Sequence, residues 1–447
     1  MKMPHTNKHS AAYSRFILPR PILTMLLLTM LFLTMLTWSA LSPADGLHYN
    51  NILIGDRAAG MGGAYTGVSD DPSGLYYNPA GIVYAIGSNI SGSMNALHQT
   101  RTTYKNALGG TYNWERKSSV LLPNYFGVFQ PFGKGKIGFS YAVLDSTLED
   151  QDQTFKNIPG TNVSTFVINF NNQDTTYNIG PSYAMEINDS LSAGITLYGH
   201  FRTKERINNQ ISYLLNDTDY EWSNQYFYTK ESGLRPLFGV MWTPREKISV
   251  GLTLSKTLVL SSDTEVLTSC KGASTFTYDA SSFCQSGILT RNETNVKTKK
   301  NYQLQLHTGI AYFPNDRLLL SGDLSYNSAT DASLNAAREA VLNFALGAEY
   351  YLNSHWAVRS GFYSNYANTP KLRSTGVSGI QDDHVDMYGL SLSVSQFSRN
   401  STLTAGFTFM NGNGKSQLFS PDASGNANLY DVNVFTTTLF LSATYSY

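Results

Sequence analysis

The stretch FTTTLFLSATYSY at residues 435–447 decides the fold, because apolar and hydroxyl-bearing side chains alternate along it. Side chains on a β-strand point to opposite faces with a period of two, so the stretch predicts a strand with one apolar and one polar face. Phe440 is the exception to this pattern. A tilted strand of about 9–11 residues crosses a bilayer, and this stretch is long enough to do so.

The same period of two recurs upstream, for example in residues 403–409 and 388–394. We therefore predict an all-β, antiparallel protein. Alternation alone does not distinguish a soluble sandwich, whose apolar faces point inward, from a membrane barrel, whose apolar face points outward to lipid. The predicted strands, about fourteen in number, begin near Gly87, Ser118, Lys136, Thr176, Leu191, Leu234, Lys247, Tyr302, Leu318, Val341, His355, His384, Ser401 and Val432.

The connections between these strands alternate between short and long. Short periplasmic turns facing long extracellular loops are typical of outer-membrane barrels, so the fold prediction is a transmembrane β-barrel of about 14 strands, with 12 or 16 as alternatives. The short turns, rich in Pro, Asn, Asp, Gly and Ser, are 131–135, 188–190, 244–246, 314–316, 353–354 and 398–400. The long polar connections are 99–117, 146–174, 204–232, 258–300, 328–340, 365–383 and 411–431.

Residues 1–44 have the order of a secretory signal peptide. Four basic residues and no acidic residue precede the uncharged run 22–38, and the small residues 42–44 follow it. We expect cleavage near Ala44; the alternative is an uncleaved membrane anchor, because the run approaches the length that spans a bilayer. Either way the chain is predicted to leave the cytoplasm.

Composition excludes several classes of protein. The chain carries 32 basic and 32 acidic residues, and four of the basic ones lie in the leader, so it lacks the strongly basic face of a nucleic-acid-binding protein. Its only cysteines, Cys270 and Cys284, can form one disulfide that closes a loop of about fifteen residues, worth about 3 kcal/mol. No Cys/His cluster has metal-site spacing, and we expect no metal or cofactor.

Residues 45–86 do not alternate, although they are rich in glycine. A nucleotide-binding loop is excluded because the spacing of a Rossmann fingerprint or a P-loop is missing. The segment contains three groups of residues in order: GDRAAGMGGA at 55–64, DDPS at 70–73 and YNPAG at 77–81. A later stretch, RSGFY at 359–363, precedes Pro370.

These stretches resemble the FadL/TodX family of outer-membrane long-chain fatty-acid and hydrocarbon transporters. The resemblance implies that residues 45–86 form a hatch that plugs a barrel of residues 87–447, and that the aromatic terminus Tyr447 is read by the barrel assembly machinery. It also implies a kinked third strand through which ligand escapes into the bilayer, but residues 136–145 show no bulge signal beyond Gly138. The hatch residues carried by the resemblance are Gly60, Gly62, Gly63, Asn78, Pro79 and Ala80. Either the hatch rearranges, or its glycines only pack against the wall.

Arg359 is the residue most suited to hold a ligand carboxylate. Its neighbours Val358 and Ser360 lie in the lipid-facing register, so Arg359 points into the lumen, where it can pair with an acid group. The alternative is a structural ion pair with Asp323, with Glu349 or with a hatch acid. Arg202 and His200 have the same inward parity and are further candidate ligand-binding residues.

The predicted loop 204–232 is rich in aromatic and aliphatic residues. An exposed apolar group often marks a binding surface, and in the family such loops capture ligand first; the alternative is packing within the loop. The candidate capture residues are Tyr213, Leu214, Trp222 and Phe227.

The predicted function is uptake of hydrophobic compounds, most simply long-chain fatty acids, by capture at the extracellular loops, binding in the lumen and release past the hatch or through the wall. The partners expected are the ligand, outer-membrane lipid and lipopolysaccharide, and the assembly machinery, with the protein a monomer. Alternatives are an aromatic-hydrocarbon channel, a general porin, and a secretion or adhesion barrel. We do not expect an enzyme, because no Ser/His/Asp set occupies matching positions.

Overall fold

A computed structural model describes residues 47–159, 161–215, 219–273, 284, 287–297, 300–330, 337–419, 421 and 424–447. The predicted leader, residues 1–44, lies outside them. Two short helices, α1 (Asp56–Gly60) and α2 (Gly74–Tyr77), and a 3₁₀ helix (Pro79–Tyr84) precede the strands. The strands are β1 (Asn89–Leu108), β2 (Tyr112–Phe132), β3 (Gly135–Lys156), β4 (Val163–Asn188), β5 (Leu191–Leu214), β6 (Tyr220–Arg245), β7 (Ile248–Lys256), β8 (Leu258–Lys271), β9 (Leu289–Val296), β10 (Leu304–Asn315), β11 (Leu318–Asn327), β12 (Val341–Asn353), β13 (Trp356–Asn365), β14 (His384–Phe397), β15 (Ser401–Ser416) and β16 (Tyr430–Ser446).

These sixteen strands form one closed antiparallel barrel, in which β1 pairs with β16 and β5 pairs with β6. Two barrel strands are each built from two segments. The lower part of β6 pairs with β7 and its upper part with β8, and the ladder continues from β7 to β10 and from β8 to β9. The barrel therefore has 14 strands, which confirms the predicted fold. Closure matters because an unpaired edge is not tolerated in hydrocarbon.

The tight turns lie where the sequence places them, as between Phe132 and Gly135 and between Asn188 and Leu191. The long connections are different. Much of the predicted loops 99–117, 146–174, 204–232 and 258–300 is strand, so these loop predictions were wrong. Beyond the bilayer a strand meets water on both faces, so its hydrogen-bond ladder continues while the apolar alternation that reveals it in the sequence is lost.

The outer surface of the barrel carries a belt of large apolar side chains. Phe435, Leu439 and Leu441 are 44%, 42% and 41% exposed, whereas Phe440 is buried inside the barrel. Phe440 fits there because it lies opposite Gly406, where even a Cβ would approach the ring to 2.3 Å. A continuous apolar belt of this kind belongs in hydrocarbon. No helix in the described part of the chain is long and apolar enough to span a bilayer.

Residues 47–86, called the plug from here on, lie inside the barrel and contact the wall on several sides. Ser391 Oγ of β14 donates a hydrogen bond of 2.9 Å to the Gly60 carbonyl. On another side, Ser192 Oγ of β5 donates a bond of 2.9 Å to the Ala80 carbonyl. The buried hydroxyls of the wall therefore satisfy backbone carbonyls of the plug, as buried polar groups require.

Cys270, at the end of β8, forms a disulfide with Cys284, with the two Cα atoms 5.6 Å apart. The bond lies in the β8–β9 connection, within the predicted long loop 258–300.

Candidate functional site

The barrel wall is interrupted between β2 and β3. The ladder of these strands runs from Phe132 and Gly135 to Tyr125 and Ala142, and beyond it the two strands pair only at Ser118 and Glu149. Residues 119–124 of β2 therefore form no ladder pairs with residues 143–148 of β3. We call this region the wall break.

Two local features accompany the wall break. Pro123 lies in the middle of β2, and proline has no N–H to donate to a neighbouring strand. In β3 the register with β4 shifts between Val143 and Asp145, the irregularity typical of a β-bulge. The kink expected in the third strand was not located from the sequence. Pro123 was a usable signal, because a proline within a strand marks an unpaired edge.

A cavity of about 90 Å³ lies along the inner side of the wall break. We call it the break cavity. Ser118, Asp145, Thr147 and Glu149, at the edges of the break, line it together with residues of β1, β14, β15 and β16. Apolar lining comes from Leu47, Val385, Met387, Met410 and Val434.

A second cavity, of about 40 Å³, lies above the first, and Tyr104, Arg116 and Asp383 line both. In this upper cavity the rings of Tyr104 and Trp114 stack at 5.0 Å between centroids. The Arg116 guanidinium lies 4.8 Å from the ring centroid of Phe170. Arg116 also pairs with Glu149 at 2.7 Å, so this cation is held in place rather than free to move. The two cavities therefore adjoin each other.

The plug covers the wall break from inside. Ile52 and Ile54 pack with Tyr125, Ala142 and Val143 on the flanks of the break. The Asn124 side chain of β2 donates a hydrogen bond of 3.1 Å to the Leu53 carbonyl of the plug. Movement of this short apolar stretch would therefore change the inner face of the break directly.

Arg359 points into the lumen, as its parity predicts, and is 3% exposed. Its Nε donates to Glu349 Oε1 at 2.7 Å, and its Nη1 donates to Ser395 Oγ. Arg57 of the plug pairs with the same carboxylate at 2.6 Å. The structure thus contains the structural ion pair with Glu349 that was the alternative to a ligand role. Whether Arg359 also contacts ligand stays a prediction.

The other two inward candidates lie on β5, away from Arg359 on β13. Arg202 pairs with Asp174 at 2.6 Å. His200 Nε2 lies 3.2 Å from Glu231 Oε1. The structure therefore does not assemble Arg359, Arg202 and His200 into one site.

The capture residues lie on the extended ends of β5 and β6, which replace the predicted loop. Leu214 is buried, and Tyr213 packs against Tyr220 with 6.1 Å between ring centroids. Trp222 Nε1 donates a hydrogen bond of 2.7 Å to Asn209. Phe227 lies 5.8 Å from the Lys204 ammonium and from the Arg206 guanidinium. These residues form the upper wall of the barrel instead of a separate apolar loop.

Asn78 anchors the plug. Its side-chain oxygen accepts from the Ala80 N–H at the start of the 3₁₀ helix, and its amide group donates to carbonyls of Thr66 in the plug and Val240 in the wall. Pro79 occupies the first position of that helix, where its missing N–H costs nothing.

The two glycines Gly62 and Gly63 have φ values of 68° and 82°, which favour glycine. Gly62 also lies against Gly361 of β13, where a Cβ on Gly62 would approach the Gly361 backbone to 3.2 Å. Gly60 packs in the same way against β14, since a Cβ there would come within 2.1 Å of Ser393 Oγ. These contacts show the glycines packing against the wall; they do not test whether the plug rearranges.

No protein-family model and no curated protein matches this chain. Solved structures do match it. One is a FadL homologue of Pseudomonas aeruginosa, 13% identical, covering 88% of this chain and 98% of its own, with a TM-score of 0.58. The toluene transporter TodX of Pseudomonas putida is 12% identical, with coverages of 87% and 97% and a TM-score of 0.59. The Ralstonia pickettii toluene transporter TbuX is 14% identical, with coverages of 88% and 98% and a TM-score of 0.57.

The likeness extends over nearly the whole length of each transporter. At these identities it establishes the fold: this chain has the barrel fold of the FadL and TodX structures.

Proposed function

We propose that this protein is an outer-membrane channel that admits hydrophobic compounds, which enter the upper cavity, pass to the break cavity and leave sideways through the wall break. The observation that carries this proposal is the interrupted ladder between β2 and β3 beside a lumen cavity. Lateral exit suits an apolar cargo, because each CH₂ that moves into lipid instead of water contributes about 0.8 kcal/mol.

The plug argues against a general porin. It lies across the lumen and hydrogen-bonds to opposite sides of the wall, so it stands in the axial path. The names of the similar structures, a FadL homologue and two toluene transporters, support a hydrophobic cargo.

Between the two cargo classes, the upper cavity favours an acid with an apolar body, of which a long-chain fatty acid is the simplest. Trp114 and Phe170 offer apolar contact, and the Arg206 guanidinium lines the same cavity beside Asp382 and Asp383. A neutral hydrocarbon would gain nothing from this buried guanidinium group. A neutral aromatic hydrocarbon is the alternative, and toluene serves as its probe.

The proposal is tested by closing the wall break. Val120→Cys and Thr147→Cys place thiols on the two strands within the break. A bifunctional thiosulfonate that links them should lower uptake of radiolabelled oleate by cells at least tenfold, and a reductant should restore it. The magnitude follows if the lateral route carries most of the flux.

The matched control is Val358→Cys with Val394→Cys, which face each other on the intact ladder of β13 and β14. Linking this pair should leave uptake unchanged. Unchanged uptake in the linked break variant would refute the lateral route. Loss of uptake in both linked variants would refute it equally, because the effect would then not be specific to the break.

A further inference from the structure

A third cavity, of about 70 Å³, lies between the plug and the part of the wall formed by β6, β7, β10, β11 and β12. We call it the Arg235 cavity. It shares no lining residue with the break cavity. The plug contributes Tyr76 and Tyr77, and the wall contributes Arg235, Gln305 and His307 among others.

Arg235 is the cation of this cavity and is 6% exposed. Its Nη2 donates to two neutral acceptors, Ser255 Oγ at 3.2 Å and Gln305 Oε1 at 2.9 Å. Its Nη1 has no hydrogen-bond partner in the described part of the chain. The guanidinium lies 5.6 Å from the ring centroid of Tyr76, which supplies π density but no counter-charge.

Four other inward arginines show the contact that Arg235 lacks. Arg57, Arg116, Arg202 and Arg359 each form an ion pair with a carboxylate at 2.5–2.7 Å. Among the residues that the structure describes, Arg235 forms no such pair. A buried charge without a counter-charge is costly, so its retention calls for a partner beyond the side chains that the structure describes.

One acid, Asp323, lines the same cavity. Asp323 Oδ2 accepts hydrogen bonds from the backbone N–H groups of Tyr65 and Thr66, at 3.0 and 2.7 Å, which hold the carboxylate to the plug backbone. Its Oδ1 has no hydrogen-bond partner in the described part of the chain, yet the carboxylate forms no ion pair with Arg235 there.

From these contacts we propose that the Arg235 cavity binds the carboxylate of an organic acid, with Arg235 and Gln305 holding the head group and the rings of Tyr76, Tyr77 and Phe344 packing on its apolar body. The guanidinium matches a carboxylate because it presents parallel N–H donors in one plane. The inference rests on the proposed function in one respect: small molecules must be able to reach the lumen. The acid is either a compact aromatic one or the head of an alkyl chain.

The test is calorimetric titration of the purified, detergent-solubilised protein with benzoate, decanoate and toluene. Arg235→Gln keeps hydrogen-bonding capacity but removes the charge, so the affinity for at least one acid should fall at least tenfold. Toluene, the neutral counterpart of benzoate, should bind within twofold of wild type. Arg235→Lys keeps the charge and should retain part of the acid affinity.

Arg291→Gln is the matched control, since Arg291 is exposed and pairs with Glu293 on β9. It should leave all three affinities unchanged. A fall for benzoate alone identifies a compact aromatic acid, and a fall for decanoate identifies an alkyl chain; both outcomes support the site. The proposal is overturned if wild type binds neither acid, if Arg235→Gln binds both within twofold, or if it loses toluene equally.

This titration involves no transport. If acid binds through Arg235 but linking the wall break leaves uptake unchanged, the Arg235 site stands and the lateral route is refuted. If uptake depends on the wall break but no acid binds at Arg235, the lateral route stands and the Arg235 site is refuted.

Discussion

Arg359 and Arg235 are both buried arginines on barrel strands that point into the lumen, yet their surroundings differ. Arg359 shares Glu349 with Arg57 of the plug, so that two cations and one carboxylate join plug and wall. Arg235 meets only neutral acceptors and a tyrosine ring. Strand parity therefore decides whether a charged side chain faces the lumen. The presence of a counter-charge decides whether that side chain joins the plug to the wall or remains available to a ligand.

The largest effect is expected at the shared carboxylate. Glu349→Gln leaves Arg359 buried without its counter-charge and leaves Arg57 with Asp70 alone, which should lower the free energy of unfolding by about 3–5 kcal/mol. Urea unfolding in lipid vesicles, followed by tryptophan fluorescence, measures this change. Arg235→Gln is the matched variant and should stay within about 1 kcal/mol of wild type, because it breaks no ion pair. Equal losses in the two variants would erase the distinction between the two arginines.

A smaller effect is expected where the plug touches the Arg359 strand. A Cβ on Gly361 would lie 2.2 Å from the Gly62 nitrogen and 2.3 Å from the Met61 carbonyl carbon, both backbone atoms. Gly361→Ala should therefore push the plug from this wall at a cost of about 1–3 kcal/mol. Planar-bilayer recordings should show ion conductance above that of wild type.

Gly322→Ala on β11 is the control, because the nearest atom to its new Cβ would be a flexible Leu346 methyl at 3.4 Å. It should conduct no more than wild type. If the ion conductance of Gly361→Ala is also no higher than that of wild type, the contact between Gly361 and Gly62 does not hold the plug against this wall.

The smallest effect concerns Lys204, a cation whose surroundings are intermediate between those of the ion-paired Arg359 and those of Arg235. It lies above the membrane-spanning part of β5. Its ammonium lies 3.9 Å from Asp174 Oδ2, an oxygen that also pairs with Arg202. Burial, opposed by Asp174 and reinforced by the nearby Arg202, Arg206 and Lys300, lowers the pKa of Lys204 to about 7. Lys204 is therefore charged at pH 6 and largely neutral at pH 8.5.

If Lys204 helps to attract an acid, decanoate affinity should fall by about fivefold as the pH rises from 6 to 8.5, the loss of roughly 1 kcal/mol of one charge-assisted contact. Calorimetry at the two pH values measures this, with toluene as the pH-independent comparison. Lys204→Met should reduce the difference. Lys300, whose pKa burial also lowers to about 7, could keep part of it, so the double variant Lys204→Met, Lys300→Met settles the assignment.

The fold was predictable because lipid imposes a rule at each position of a membrane strand. The alternation in residues 435–447 places Leu439 and Leu441 outside and Thr438 and Ser442 inside, as observed. The strand ends were not predictable, since beyond the bilayer the rule no longer applies and β5 continues to Leu214 without it.

The candidate site was only partly predictable. Parity gave the direction of Arg359, and the sequence offered Glu349 as one of several partners. The wall break and the Arg235 cavity were missed. The wall break is indicated in the sequence only by Pro123. The Arg235 cavity depends on which residues of four other strands and of the plug face one arginine.

By itself, then, the sequence determined a closed barrel with an apolar exterior, because period-two patterning is read locally and lipid enforces it. Only the tertiary structure decided which charges are paired and where the wall opens. Arg57 and Glu349 are 292 positions apart along the chain and meet through the plug inside the barrel. Pairing of buried charges is a property of three-dimensional proximity, and no local pattern records it.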